Sequence, residues 1–111
     1  MATSEMDYMN IGGGIILTIP YKTGSSDITI NAQSRANVQL IQDSSDSLTG
    51  CVSIGVLRAV AITTGGEPIA IRGFHYDDTD NMLYLSVSNT SNSAITMPKN
   101  TQMGIVTFLK N

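Results

Sequence analysis

The sequence predicts an all-β fold, and three features carry this prediction. β-Branched residues dominate, because Ile, Val and Thr together make up 31 of the 111 residues, and such side chains favour strands. Apolar and polar residues alternate along most segments, as they do from Asn81 to Asn89. Turn residues such as Gly, Pro, Ser and Asn separate the segments at intervals of about ten residues. We therefore expect seven or eight antiparallel strands in a jelly-roll-like sandwich or barrel.

Each expected strand is an alternating segment bounded by turn residues. The segments are Ile15–Tyr21, Ile28–Ile30, Ala36–Gln42, Cys51–Thr63, Ile69–Arg72, Asn81–Asn89, Ala94–Met97 and Met103–Lys110. The apolar residues expected in the core are Ile15, Leu17, Ile28, Ile30, Val38, Leu40, Val52, Ile54, Ile69, Ile71, Leu83, Leu85, Val87, Ile105 and Val106.

The segment from Cys51 to Thr63 departs from simple alternation. Its apolar residues change phase near Gly55, which is typical of a β-bulge or of a bend where a strand passes between sheets. The alternative is a strand that is buried on both faces, with one face against another subunit.

The first 14 residues are expected to form a flexible arm ahead of a single β domain over residues 15–111. Gly12-Gly13-Gly14 has the composition of a hinge. Ahead of it, Met6, Tyr8, Met9 and Ile11 make the segment more apolar than a free tail requires. Two interpretations stay open: a frayed terminus, or an assembly arm that docks on a neighbouring subunit.

Composition argues against some classes of binding partner and indicates the compartment in which the chain is made. The net charge is −3, which argues against nucleic-acid binding, and no apolar stretch approaches the about 20 residues of a membrane-spanning helix. The start of the chain lacks the cationic and apolar regions of a secretory signal. Cys51 is the single cysteine and forms no intrachain disulfide, so we expect synthesis in a reducing cytoplasm. Asn89-Thr90-Ser91 matches the glycosylation sequon, which carries no prediction without that signal.

The side chains that could take part in catalysis or bind a metal do not form a recognisable catalytic or metal-binding pattern. His75 is the single imidazole, so a conventional base–nucleophile pair or a zinc site lacks its other members. Asp77, Asp78 and Asp80 do not follow the ligand spacing of an EF-hand loop. The glycines before Ile15 lack the Lys and Ser or Thr of a phosphate-binding loop. We therefore expect no catalytic residue, no metal and no cofactor.

The last third of the chain resembles the hairpin region of trimeric dUTPases. Gly73–Phe108, which is 36 of the 111 residues, aligns without a gap with a Gly-x-Ile-Asp-x-Asp-Tyr turn, a strand ending in Asn, a polar turn and a further strand before Gly-Asp-Arg. Asp78 matches the second acid of that turn, but Tyr76 stands where the family has its water-activating Asp. The Gly-Asp-Arg positions hold Asn100-Thr101-Gln102. The resemblance implies a similar β-rich architecture, and a nucleotide-binding protein or degenerate enzyme as an alternative function.

In overall composition and organisation, the chain is also similar to small virion β-proteins of the capsid-decoration or spike type. Charged residues are 14% of the chain, whereas Ser, Thr and Asn together make up 32 of 111 residues. Neutral polar surfaces of this kind pack densely, and oligomers bury sheet edges that would otherwise aggregate. We therefore expect a non-enzymatic assembly protein, a homotrimer whose partner is a capsid or other virion protein. A receptor- or glycan-binding β module is a further alternative.

Overall fold

The predicted all-β antiparallel fold is confirmed. The computed structural model describes the backbone of residues 8–11 and all of residues 14–110, and these residues form strands, turns and loops without a helix. The nine strands of this part of the chain are β1 (Tyr8–Ile11), β2 (Gly14–Lys22), β3 (Ile28–Ile30), β4 (Ser34–Gln42), β5 (Cys51–Ala59), β6 (Ala70–Asp77), β7 (Met82–Asn89), β8 (Ile95–Met97) and β9 (Gln102–Lys110).

One curled sheet organises the domain. Six of its strands run in the order β5-β9-β2-β4-β7-β6, and every neighbouring pair is antiparallel. β1 adds to β2, and β3 and β8 form a separate two-stranded sheet. The end strands β5 and β6 approach each other without forming a ladder. The result is a nearly closed, barrel-like compact sandwich.

The core fills the space enclosed by this sheet. Most of the predicted core residues are buried there: Leu17, Ile30, Val38, Leu40, Leu83, Leu85, Val87 and Val106. Four more are partly buried and pack against them: Ile15, Ile28, Ile69 and Ile71. Side chains that the sequence analysis did not place in the core complete it: Ile19, Tyr21, Ile95, Met97, Met103 and Phe108.

For three residues, the prediction that they lie in the core is wrong. Val52 and Ile54 are 58% and 52% exposed, and Ile105 is partly exposed outside the core cluster. Ile105 lies one residue from the buried Val106, so the pleat turns its side chain to the outer face of the sheet. Val52 pairs with Leu109, which is likewise out of phase with the buried Phe108.

The predicted irregularity at Gly55 is confirmed as a β-bulge. The register of β5 against β9 shifts between Ser53 and Gly55, and it shifts again between Val56 and Arg58. Each bulge places one extra residue on β5 and increases the local twist. Because of the two bulges in this nine-residue strand, the partly buried positions change phase twice, from Cys51 and Ser53 to Val56 and then to Ala59.

Gly104 allows the backbone of β9 to approach the Leu83 side chain closely within the core. A Cβ atom at this position would overlap the buried Leu83 side chain and lie 3.3 Å from the carbonyl oxygen of Arg58. At Gly73, by contrast, an added Cβ would meet no atom within 4 Å. The absence of a side chain at Gly104 therefore lets β9 pass over the Leu83 side chain.

We expect Gly104→Ala to destabilise the fold by about 1–3 kcal/mol, because overpacking forces core side chains off their rotamers. Chemical denaturation followed by circular dichroism measures this change. Gly73→Ala is the matched control and should be neutral or slightly stabilising, since alanine costs less backbone entropy. Equal effects of the two substitutions would contradict the assigned role of Gly104.

Candidate functional site

The three most exposed large apolar side chains among the described residues lie on β5. Leu57 is 62% exposed, beside Val52 and Ile54. Ile54 and Leu57 are the extra residues of the two bulges, because neither has a register partner on β9. The bulges thus hold apolar side chains outside the core. We call the outer surface of β5 with Val52, Ile54 and Leu57 the apolar face.

The apolar face continues onto the neighbouring strands. Leu109 on β9 pairs with Val52 on one side and with Ile16 on β2 on the other. These three residues share the outer side of the sheet, and Leu109 and Ile16 are partly exposed. Arg58 is the single charged residue within β5. The surface is therefore a largely uncharged row of aliphatic side chains across three strands.

The backbone edge beside the apolar face is open. Within the described residues, β5 forms a ladder with β9 alone, and β6 forms one with β7 alone. Each of these end strands presents N–H and C=O groups that no strand of the described chain pairs. Such edges are templates for pairing with another chain, and folded proteins cover or blunt them.

The segment predicted as an assembly arm contributes a strand. The backbone of residues 8–11 forms β1, in which Tyr8 pairs with Leu17, Met9 with Ile16 and Ile11 with Gly14. Met6 and the hinge residues 12 and 13 lie outside the described residues. Docking of this arm on a neighbouring subunit stays a prediction.

His75 lies on the outer face of β6 with an aromatic neighbour. Its ring stacks on that of Tyr84, with the ring centroids 5.1 Å apart and the planes 15° from parallel. The Tyr84 hydroxyl donates a hydrogen bond to Asp80 Oδ2, and this bond is the main cause that raises the pKa of Tyr84. Among the described residues, His75 makes this ring stack and no hydrogen bond to a serine or cysteine, so the geometry gives it no such nucleophile to activate.

In the β6–β7 turn, an acidic side chain stabilises the turn itself. Asp77 Oδ1 accepts a hydrogen bond of 2.9 Å from the backbone N–H of Thr79, as in an Asx-turn. Asp78, which the dUTPase resemblance matches to an acid, is exposed. No group of three potential metal-ligating His, Cys, Asp or Glu side chains occurs in the described part of the chain.

The sequon asparagine is a structural residue. Asn89 is buried, and its Nδ2 donates to the carbonyl oxygens of Ile30, Asn31 and Ser93 at 2.9–3.1 Å. Its Oδ1 accepts from the backbone N–H and the hydroxyl of Ser91. These five bonds tie the end of β7 to β3 and to the next turn. A buried, fully bonded amide is not accessible as a glycosylation acceptor.

A second group of hydrogen-bonded polar side chains, partly buried, lies at the β6–β7 turn. The hydroxyls of Tyr21 and Tyr76 both donate to Asn81 Oδ1, the latter at 2.8 Å. Asn81 Nδ2 in turn donates to Gln42 Oε1 at 3.0 Å. Burial is the largest cause that raises the pKa of Tyr21 and of Tyr76. Both tyrosines therefore remain protonated in the folded protein at a pH where free tyrosine ionises. Tyr76, which the dUTPase resemblance aligns with a catalytic carboxylate, belongs to this hydrogen-bonded group.

The raised pKa values predict alkaline destabilisation. Above pH about 10 the unfolded chain releases tyrosine protons that the folded chain retains, so the free energy of unfolding falls with pH. The slope should be up to about 1.4 kcal/mol per pH unit for each such tyrosine. Urea unfolding between pH 8 and 12 measures it. Tyr21→Phe should be less stable at pH 8 yet lose less stability above pH 10, and an equally steep loss would contradict the prediction.

Two further properties of the described residues concern the cysteine and the membrane. Cys51 is a free, half-buried thiol at the start of β5. None of the described residues belongs to a helix of the length and apolarity needed to cross a membrane.

Comparison of the chain with protein-family models, with curated proteins and with solved structures gave no significant match.

Proposed function

We propose that this protein is a non-enzymatic assembly protein that forms a homo-oligomer, and that the apolar face of β5 is buried between copies. The observation that carries the proposal is the exposure of Val52, Ile54 and Leu57 together on one end strand. A monomer gains nothing from holding three aliphatic side chains in water, whereas burial of apolar surface drives association.

The size of the surface is compatible with a subunit contact. β5 has nine residues and is about 30 Å long at about 3.3 Å per residue, and the exposed residues from Val52 to Leu57 span roughly 17 Å of it. Burial of an exposed aliphatic side chain contributes on the order of 1 kcal/mol or more. The open edge of β5 can add main-chain hydrogen bonds to the same contact, as strand addition does elsewhere.

A second copy of this chain is the partner that the charge distribution favours. The chain has a net charge of −3 with 14% charged residues, so copies repel one another little at short range. Arg58 is the single charge within β5. An obligate interface is depleted of charge at its centre, and the apolar face has that composition.

The proposed assembly is a trimer that belongs to a virion, as a capsid-decoration or spike protein. Support for this part comes from the sequence: the low charge, the abundance of Ser, Thr and Asn, and the apolar N-terminal arm ahead of a compact β domain. In this arrangement the arm, with Met6, Tyr8, Met9 and Ile11, contacts a neighbouring subunit or the capsid.

Leu57→Glu tests the apolar face. We expect the wild-type chain of 11.8 kDa to elute as a trimer of about 35 kDa, three times the chain mass, in light scattering behind a sizing column. The variant should elute as a monomer, because a charge buried at an apolar contact is unfavourable. Its fold should persist, since Leu57 is exposed and unpaired in the ladder.

Ile41→Glu is the matched control, because Ile41 is also an exposed aliphatic residue but lies on β4. This variant should keep the oligomer mass. A wild-type monomer at all concentrations, or a Leu57→Glu protein with the wild-type mass, would contradict the proposal.

A further inference from the structure

The part of the sheet formed by β4, β7 and β6 carries a surface of different chemistry. On the outer face of β4, β7 and β6, Arg35 pairs in register with Ser88. Arg72 is the extra residue of a bulge in β6, between Ile71 and Gly73. The bulge turns its side chain outward, and Arg72 Nε donates to Ser88 Oγ at 3.2 Å. Two of the three arginines of the chain thus flank one serine.

Neither arginine has an acidic partner in the described part of the chain. The ion pair found there joins Lys22 Nζ to Asp43 Oδ1 at 3.3 Å. Arg35 and Arg72 are exposed and line the same open depression of about 160 Å³, together with Ser34, Gln33 and Thr90. Two like charges at one depression repel each other, and an anion placed between them removes that repulsion. Guanidinium groups also match carboxylate and phosphate oxygens in bidentate geometry.

A second depression of about 220 Å³ lies further along the same three strands, and Phe74 is among its lining residues. Its floor is the cross-strand row of Asn37, Ser86 and Gly73. Ser86 is two residues from Ser88 along β7, which is about 6.6 Å. Gly73 leaves open space here, since an added Cβ would contact nothing within 4 Å. The far wall is the stacked pair of His75 and Tyr84.

Positive and negative charges lie at opposite ends of this face. Arg35 and Arg72 lie at one end, and the acidic β6–β7 turn with Asp77 and Asp80 lies beyond His75 and Tyr84 at the other. An anionic group is therefore attracted to the arginine end and repelled from the turn end. The uncharged part of the same ligand extends over Gly73, where amide and hydroxyl groups of Asn37 and Ser86 and an aromatic stack offer polar and van der Waals contacts.

We propose that this groove binds an oxyanion, a carboxylate or a phosphate, carried by a small polar molecule. Arg35 and Arg72 hold the oxyanion, and the uncharged ring-sized part of the ligand lies over Gly73 and Ser86 against the His75–Tyr84 stack. The residues that line the groove lie on β4, β6, β7 and the adjacent loops and include none of the apolar face.

Three matched sugars test the proposal in ¹H–¹⁵N correlation spectra of the full chain: glucuronate, glucose 6-phosphate and glucose. We expect at least one anionic sugar to shift the amide resonances of Gly73 and Ser88 saturably, and glucose to shift neither. A preference for glucuronate or for glucose 6-phosphate identifies the carboxylate or the phosphate as the natural group. Arg72→Gln should weaken binding at least tenfold, because it removes charge-assisted hydrogen bonds.

Arg58→Gln is the control for loss of a positive charge and should bind within twofold of wild type, since Arg58 lies on β5. Gly73→Val should weaken sugar binding by filling the second depression. No saturable shift with either anionic sugar, an equal response to glucose, or equal weakening by Arg58→Gln and Arg72→Gln would overturn the proposal. Sugar binding that Gly73→Val leaves unchanged would overturn the placement of the uncharged part.

Discussion

The inner face of one curled sheet buries most of the apolar surface of this domain, and the sheet must curl tightly enough to do so with only six strands in its main path. Few large aromatic side chains are available, because the chain has two Phe, four Tyr and no Trp. Aliphatic residues therefore fill the interior at close range, and Gly104 lets two strands approach where any side chain would collide with Leu83. Hydrogen-bonded polar groups around the half-buried Asn81 and the buried Asn89 fix the ends of the strands that enclose this core.

The same curl leaves the sheet unclosed between β5 and β6. A closed barrel has no edges, whereas this sheet keeps two. The bulges of β5 turn Ile54 and Leu57 outward at one of them, and the bulge of β6 turns Arg72 outward at the other. The irregular positions of the two end strands thus supply part of each proposed binding surface: Ile54 and Leu57 on the apolar face, and Arg72 in the groove.

Much of the fold follows from the sequence, because strand period and turn chemistry are local properties. The alternation of Leu83, Leu85 and Val87 predicts their burial, and Gly55 marks the bulge of β5. The same local argument failed for Val52 and Ile54: period two gives the two faces of a strand, but which face meets the core depends on the strand's place in the sheet. Val52 lies on an end strand, and no other element of the described residues covers the outer face of that strand.

The candidate surfaces were harder to predict for a related reason. Arg35 and Arg72 are 37 positions apart in the chain and meet only because β4 and β6 flank β7, a pairing order that no short motif specifies. The exposure of Leu57 arises from a second bulge, which no glycine marks in the sequence. Asn89 matched a modification sequon, whereas its burial follows from contacts with β3, which lies about 60 residues earlier in the chain.

The central claim is that the edge and outer face of β5 are covered by another copy of the chain. Hydrogen–deuterium exchange of the β5 amides, compared between a concentrated and a highly dilute solution, tests it most directly. Amides that point away from β9 should exchange slowly when the protein is concentrated and rapidly when it is dilute, while the amides of β2 keep the same protection in both. Exchange of those β5 amides at one rapid rate, whatever the concentration, would contradict the claim.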